Sequence, residues 1–231
     1  MVHLKEVVDA PYPAFENRQE AGWALAEFLM EKDASVDVIF AVPSGGVAVG
    51  RAVAERLGAP FDLILVRKLP LPMEPEAGFG AVTLHGEVEL NDALVRAWGL
   101  SGEDIRQVIA RVTGELRQRE HRFLAGRERL DPAGKGVLLV DDGLASGFTM
   151  KVAVKGLQRR EPLSISIGVP DAPLATIRSI EPFVDDIYCL AAQRWGGFAV
   201  ASFYKHWHDL TDDEVLALLR AGPAGSQPGG G

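Results

Sequence analysis

The amino-acid sequence predicts an α/β protein organised around a parallel sheet, and three observations lead there. Short uninterrupted apolar runs, the signature of strands buried on both faces, alternate with segments of helical periodicity. The order strand, helix, strand recurs, which suits parallel strands joined by right-handed crossovers. One apolar run, Val137-Leu138-Leu139-Val140, leads into two aspartates and a loop of small residues before the next helix. That is the strand end at which open α/β sheets bind ligands.

The elements follow in order. Asn17-Arg18-Gln19-Glu20 reads as a helix start, an N-cap with a glutamate three residues on, and Ala21, Leu25, Phe28 and Leu29 continue on one face. Residues 37–42 form a short apolar strand ending at Pro43-Ser44-Gly45-Gly46. A helix over 47–57 carries small residues (Ala48, Gly50, Ala52, Ala54) that allow close packing, and Gly58 ends it. Residues 61–66 are the next buried strand. The pattern then changes, with prolines at 70, 72 and 75 and glycines at 78, 80 and 86. Strand-like pieces at 81–84 and 87–90 flank His85-Gly86, which predicts an excursion or hairpin leaving the main sheet.

Ser101-Gly102-Glu103-Asp104 opens a long polar helix towards His121, rich in arginine, with Ile105, Val108, Ile109, Val112 and Leu116 as its apolar stripe and Glu103–Arg106 and Glu115–Arg119 as expected pairs on its solvated face. The alternation resumes with strand 137–140, helix 148–160, strand 163–169, helix 172–180 and strand 184–190. A last short helix runs from the Thr211 cap through Leu219. A single domain over 1–220 is expected, with an excursion and arginine-rich helix at 67–130 and a C-terminal segment at 191–220. The Gly/Pro/Ser-rich tail, 221–231, reads as disordered.

The whole chain sets bounds. A hydrophobic content of 47% over 231 residues suffices for a proper core and excludes general disorder. A formal charge of −8 argues against non-specific nucleic-acid binding. It leaves a local anion site open, because backbone amides bind phosphate without net positive charge. Cys189, the sole cysteine, can form neither an internal disulfide nor a Cys-rich zinc site and reads as a small buried hydrophobe. Residues 1–9 contain acids where a signal peptide needs an apolar core, and no apolar stretch is long enough to span a bilayer. The expectation is a soluble, cytoplasmic chain without a membrane partner.

The chemistry lies in residues 137–149. Gly143 and Gly147 permit turns that bulkier residues resist and expose backbone N–H groups. Ser146 and Thr149 add hydroxyls beside a helix N-terminus, where a dianionic phosphate is stabilised. Asp141 and Asp142 are acceptors suited to a vicinal pair of sugar hydroxyls. Phosphate at one end and diol at the other describe a ribose 5-phosphate. An isolated Asp-Asp-Gly is more often a solvated turn, and Ser-Gly an N-cap. The complete strand, acid pair, small loop and helix start outweighs that reading. No Gly-Lys-Ser/Thr follows, as a nucleotide-triphosphatase loop would require, and the dinucleotide Gly-x-Gly-x-x-Gly pattern is absent.

This stretch resembles the phosphoribosyl pyrophosphate (PRPP) motif of type I phosphoribosyltransferases. The resemblance runs from about Phe15 to Leu219 and includes the segment from Ala41 through Pro43-Ser44-Gly45-Gly46 to Gly50, and Val66-Arg67-Lys68-Leu69. It implies the family's Rossmann-like fold, with 67–130 as a flexible loop that closes over the site and 191–220 as a small hood that holds the acceptor. It implies PRPP binding by Asp141, Asp142, Gly143, Leu144, Ala145, Ser146, Gly147, Phe148 and Thr149. Pyrophosphate would lie against Ser44, Gly45, Gly46, Arg67 and Lys68, with Asp141, Asp142 and Lys68 as the catalytic set. Mg²⁺ would be bound mainly through PRPP rather than by direct protein ligands. A strained or cis peptide at the Ser44 loop and a homodimer are further features of such proteins.

Two positions depart from relatives. Ala145 stands where hypoxanthine-guanine enzymes place an aspartate, which makes a 6-oxopurine acceptor less favoured. Ser44 stands where many relatives carry arginine, which removes a charged pyrophosphate contact. The leading functional expectation is transfer of phosphoribosyl from PRPP to a nitrogenous base or similar acceptor. A non-catalytic sensor of PRPP or nucleotide is the alternative, and phosphorolysis or hydrolysis of a nucleotide is a third. His206-Trp207-His208 reads as packing and surface rather than a metal site. His85 and Glu87 are candidate acid or base groups if the excursion closes. Trp195-Gly196-Gly197-Phe198 reads as a loop packed by two aromatics, with base stacking as the other option.

Overall fold

A computed structural model describes residues 1–71, 74, 77–195 and 197–221. The first half of the chain runs β1 (Val2–Val8), α1 (Arg18–Glu31), β2 (Val38–Ala41), α2 (Gly45–Leu57), β3 (Phe61–Leu63), β4 (Val66–Pro70), β5 (Gly78–Thr83), β6 (Val88–Leu90) and α3 (Asp92–Ala97). The second half runs α4 (Gly102–Leu124), β7 (Gly136–Val140), α5 (Phe148–Gln158), β8 (Ser164–Pro173), α6 (Leu174–Ile180), β9 (Asp186–Gln193) and α7 (Asp212–Arg220). Two short 3₁₀ turns lie at Glu181–Phe183 and Val200–Phe203.

Six strands form a wholly parallel sheet in the order β1-β9-β8-β7-β2-β3. The uninterrupted apolar runs are explained by its two covered faces. Along β7, Val137 and Leu139 enter the core under α5 and α6, while Leu138 and Val140 enter the core under α1 and α2. The small residues of the first crossover set its spacing. A side chain at Gly22 would meet Ala52 and the Val49 carbonyl at 2.6 Å, and one at Gly50 would meet Ala41 and Phe61 at 2.9 Å.

The excursion forms a second, antiparallel sheet of order β4-β5-β6. The apolar stripe of α4 packs there, with Val112 and Leu116 in a third core that α7 joins through Val215 and Leu219. The buried run 61–66 is therefore not one strand. Ile64 still donates to the Ala41 carbonyl of the main sheet (3.0 Å), whereas Leu65 accepts from Leu84 (3.1 Å) in the second. Both sheets bury their residues, so the hydrophobic pattern carries no mark of the change.

Three further elements differ from the sequence reading. Residues 2–8, read only for the absence of a leader, form an edge strand beside β9, half covered and interrupted by Lys5 and Glu6. Asn91 caps α3 within the region read as hairpin. The strand ending at 169 in the sequence reading continues to Pro173, with Asp171 and Ala172 paired to Ala191 and Ala192. The tail 222–231 and Gly196 lie outside the described residues. Among the described residues no helix is long and apolar enough to cross a membrane.

Candidate active site

The acid pair lies at the carboxyl end of β7, against the turn that opens α2. Asp141 accepts from the Asp142 amide through Oδ1 at 2.9 Å. The Pro43–Ser44 peptide is cis, Ser44 is the N-cap of α2, and Gly45 and Gly46 are its first residues. First-turn amides lack partners inside their own helix, so those of the two glycines are donors at this spot. The glycines are required by contact: a Cβ at Gly45 would run into the Asp142 carboxylate. A Cβ at Gly46 would lie 2.9 Å from Asp141 Oδ1, Asp141 Cα and the Val140 carbonyl oxygen.

Asp142 has partners that the sequence reading did not find. Arg18, at the start of α1, donates to Asp142 Oδ2 through Nε at 2.7 Å and to the His208 carbonyl through Nη1 at 2.8 Å. Its guanidinium lies 3.8 Å from the Trp207 ring centroid, which places a cation on an aromatic face. Tyr204 donates its hydroxyl to the Asp142 carbonyl at 2.6 Å. The segment carrying Tyr204 and Trp207 is tied to the N-terminal region by Phe15, which donates to Phe203 (2.9 Å) and accepts from Lys205 (2.8 Å). Nothing in the local sequence singles out Arg18, because its role depends on residues 124 to 190 positions away.

A third acid completes the group. Asp171 is fully buried at the end of β8, and among the described residues neither carboxylate oxygen has a hydrogen-bond partner. A Cβ at Gly143 would approach its Oδ1 to 2.6 Å and Val200 to 2.7 Å, so those two residues cover it. Burial pushes the Asp171 carboxyl well above the usual range, and the charges of Asp142 and Asp141 push it further. Burial and then the Asp142 charge raise Asp141 in the same direction. Burial also raises Asp142, against the opposing pull of Arg18. The strand end thus holds protons or attracts cations and donor groups.

Before this pair opens a cleft of about 880 Å³, lined by Asp142, Arg18, Ser44, Gly45, Arg67 and Lys68. Arg119 and Arg122 of α4 and Asp212 of α7 also line it. The chain therefore brings Asp142, Ser44, Gly45, Arg67 and Lys68 to one cleft, with Gly46 packed against Asp141 beside them. The 143–149 loop leads from the pair to the N-terminus of α5. Gly147, at φ +79°, is the N-cap, Phe148 and Thr149 begin the helix, and Ala145 and Ser146 are exposed. One expectation fails here: the Leu144 amide donates to the Asp171 carbonyl at 2.9 Å, and the Leu144 side chain is buried in the core. That amide is already engaged.

Other readings are corrected too. Glu115 pairs with Arg111 (2.8 Å) and Arg67 (3.3 Å) rather than with Arg119. Glu103 does pair with Arg106, at 2.7 Å. Glu87 is buried against Thr83 and Arg159, and neither it nor His85 lines the cleft. His208 meets Glu214 at 2.7 Å. Phe198 packs on Phe203, while Trp195 is exposed, so the two aromatics do not pack as a pair.

Comparison with known proteins identifies the family. The family model described as a phosphoribosyl transferase domain matches residues 14–182, and the chain belongs to that family. The chain is 35% identical over 205 residues, 89% of its length, to a Mycobacterium tuberculosis (strain H37Rv) protein, Rv0571c, named as a phosphoribosyl transferase. The match covers 46% of that protein, so the chain spans about half the length of the curated relatives it matches. The crystal structure of TT1426 from Thermus thermophilus superposes with a TM-score of 0.72 at 32% identity, covering 89% of this chain and 97% of that one.

Proposed function

We propose that this protein transfers the 5-phosphoribosyl group of PRPP to a nitrogenous base or similar acceptor and releases pyrophosphate. The observation that carries the reading is the contact of the Asp141–Asp142 pair with Gly45 and Gly46. It puts diol acceptors beside the N-terminus of α2, while the 143–149 loop leads from the same pair to the N-terminus of α5. The ribose hydroxyls would meet the acids and the 5-phosphate would meet the first-turn amides of α5. Pyrophosphate would meet those of α2, with Arg67 and Lys68 alongside.

The protein's share of the chemistry is positioning and charge. The leaving pyrophosphate gains charge as the glycosidic bond lengthens, and Arg67, Lys68 and the α2 amides stabilise that charge. The acid pair faces the ribose, where positive charge develops. Closure of the 67–130 excursion and the 191–220 hood over the site would exclude water, which competes with the acceptor. The hard oxygens of Asp141 and Asp142 suit Mg²⁺, and among the described residues no group of three or more ligating side chains is arranged to hold a metal. Such a cation would arrive with most of its ligands from substrate and water. When bound, it neutralises pyrophosphate charge.

A second reading, binding of PRPP or nucleotide without turnover, draws support from position 145, an exposed alanine that offers no proton acceptor. Pyrophosphate release separates the two. Wild-type protein is incubated with PRPP, Mg²⁺ and a panel of purine, pyrimidine and amine acceptors. Release that depends on one acceptor is the expected result, whereas tight PRPP binding with no release for any acceptor would leave the sensor reading in its place.

A further inference from the structure

We infer that Arg119 is a further pyrophosphate-binding cation of this cleft, beside Arg67 and Lys68, and that Asp212 holds its guanidinium until the anion arrives. The ligand's identity rests on the phosphoribosyl reading above, but the ion-pair geometry stands by itself. The pyrophosphate loop begins with an uncharged residue, Ser44. Arg119 reaches it from α4, donating through Nη2 to Ser44 Oγ at 2.8 Å. A positive charge is thereby set beside the first-turn amides of Gly45 and Gly46, in the cleft that Asp142 also lines. The guanidinium rests 5.1 Å from the Phe123 ring centroid, which supports it from within its own helix.

The same Nη2 also donates to Asp212 Oδ1 at 2.8 Å. Arg122 contacts Asp212 Oδ2 at 3.4 Å and Asp213 Oδ1 at 2.7 Å. Asp212 is thus a single carboxylate facing two guanidinium groups at the rim of an anion site. Pyrophosphate offers more oxygens and more charge to the same donors and should displace it. Asp212 then acts as an internal competitor, whose removal strengthens anion binding while removal of Arg119 weakens it. If the pair merely clamped α4 to α7, loss of either partner would loosen the same contact and both variants would change in the same direction.

The test is calorimetric titration of inorganic pyrophosphate, PRPP with Mg²⁺, and ribose 5-phosphate into wild type, Arg119→Gln and Asp212→Asn. Arg119→Gln should weaken pyrophosphate and PRPP by about 10- to 100-fold and leave ribose 5-phosphate within about 2-fold. Asp212→Asn should tighten pyrophosphate by about 2- to 5-fold. Weakening by both variants, no change in Arg119→Gln, or no wild-type pyrophosphate binding would overturn the inference. Opposite responses to pyrophosphate in a protein that ignores ribose 5-phosphate would uphold Arg119 and remove the phosphoribosyl reading. Should Arg119→Gln fail to fold, Arg119→Lys keeps the charge without the fork. It should still weaken pyrophosphate by about 3- to 10-fold, and unchanged binding would count against Arg119.

Discussion

Asp62 and Asp171 are both buried on the same parallel sheet, and the chain treats them in opposite ways. Asp62, in β3, accepts from the Leu63 amide (2.7 Å), from Arg129 Nε (2.8 Å) and from the Leu130 amide (3.1 Å). Asp171, near the end of β8, has a carboxylate without a hydrogen-bond partner among the described residues and two further aspartates nearby. A fold that supplies three donors to one buried acid has the means to supply them to another. The difference marks the β7–β8 end as the place where polar demand is left for something other than the chain's own packing.

The comparison breaks most visibly at Asp62. Asp62→Ala strands Arg129 and two amides, and urea denaturation should show a loss of about 3 kcal/mol. At the other end, Gly45→Ala forces a methyl into the Asp142 carboxylate. Its expected cost in stability is about 1–3 kcal/mol, and ribose 5-phosphate affinity should fall by at least about 10-fold, by titration calorimetry. Asp171→Asn removes a carboxyl that is costly to ionise and should gain about 1 kcal/mol in the same denaturation experiment. A loss there as large as that of Asp62→Ala would end the contrast.

The smallest effect is in pH dependence. Asp171, Asp141 and Asp142 all have folded pKa values above the ordinary one. The folded state therefore binds more protons than the unfolded state above that ordinary value, near 4. Stability should fall as pH rises from about 4 towards the raised values. The slope should be shallower in Asp171→Asn, and denaturation midpoints at intervals from pH 4 to 8 would check it.

Much of this arrangement is legible in the sequence, for a physical reason. Residues 137–149 carry strand, acids, loop and helix start in one continuous stretch, and Ser44-Gly45-Gly46 lies at the end of another buried run. Such local patterns specify local geometry, and the parallel sheet follows from them. The parts that escape a sequence reading depend on distant pairing. Arg18 is an ordinary first-turn residue until the C-terminal segment brings Trp207 and the His208 carbonyl to it. Asp171 reads locally as the approach to a helix because Pro170 and Pro173 suggest a break, yet β9 pairs the strand through both sides of it. Helical spacing assigns Arg119 to Glu115, but both side chains find partners outside their own helix.

The central claim, that Asp141 and Asp142 hold the ribose diol, is tested most directly by titrating PRPP with Mg²⁺ into wild type and into Asp141→Asn/Asp142→Asn. The account predicts wild-type binding that the double variant weakens by about 10- to 100-fold, at about 1.5–3 kcal/mol for lost charge-assisted hydrogen bonds. Equal affinity in the two proteins, or no binding by the wild type, would contradict it.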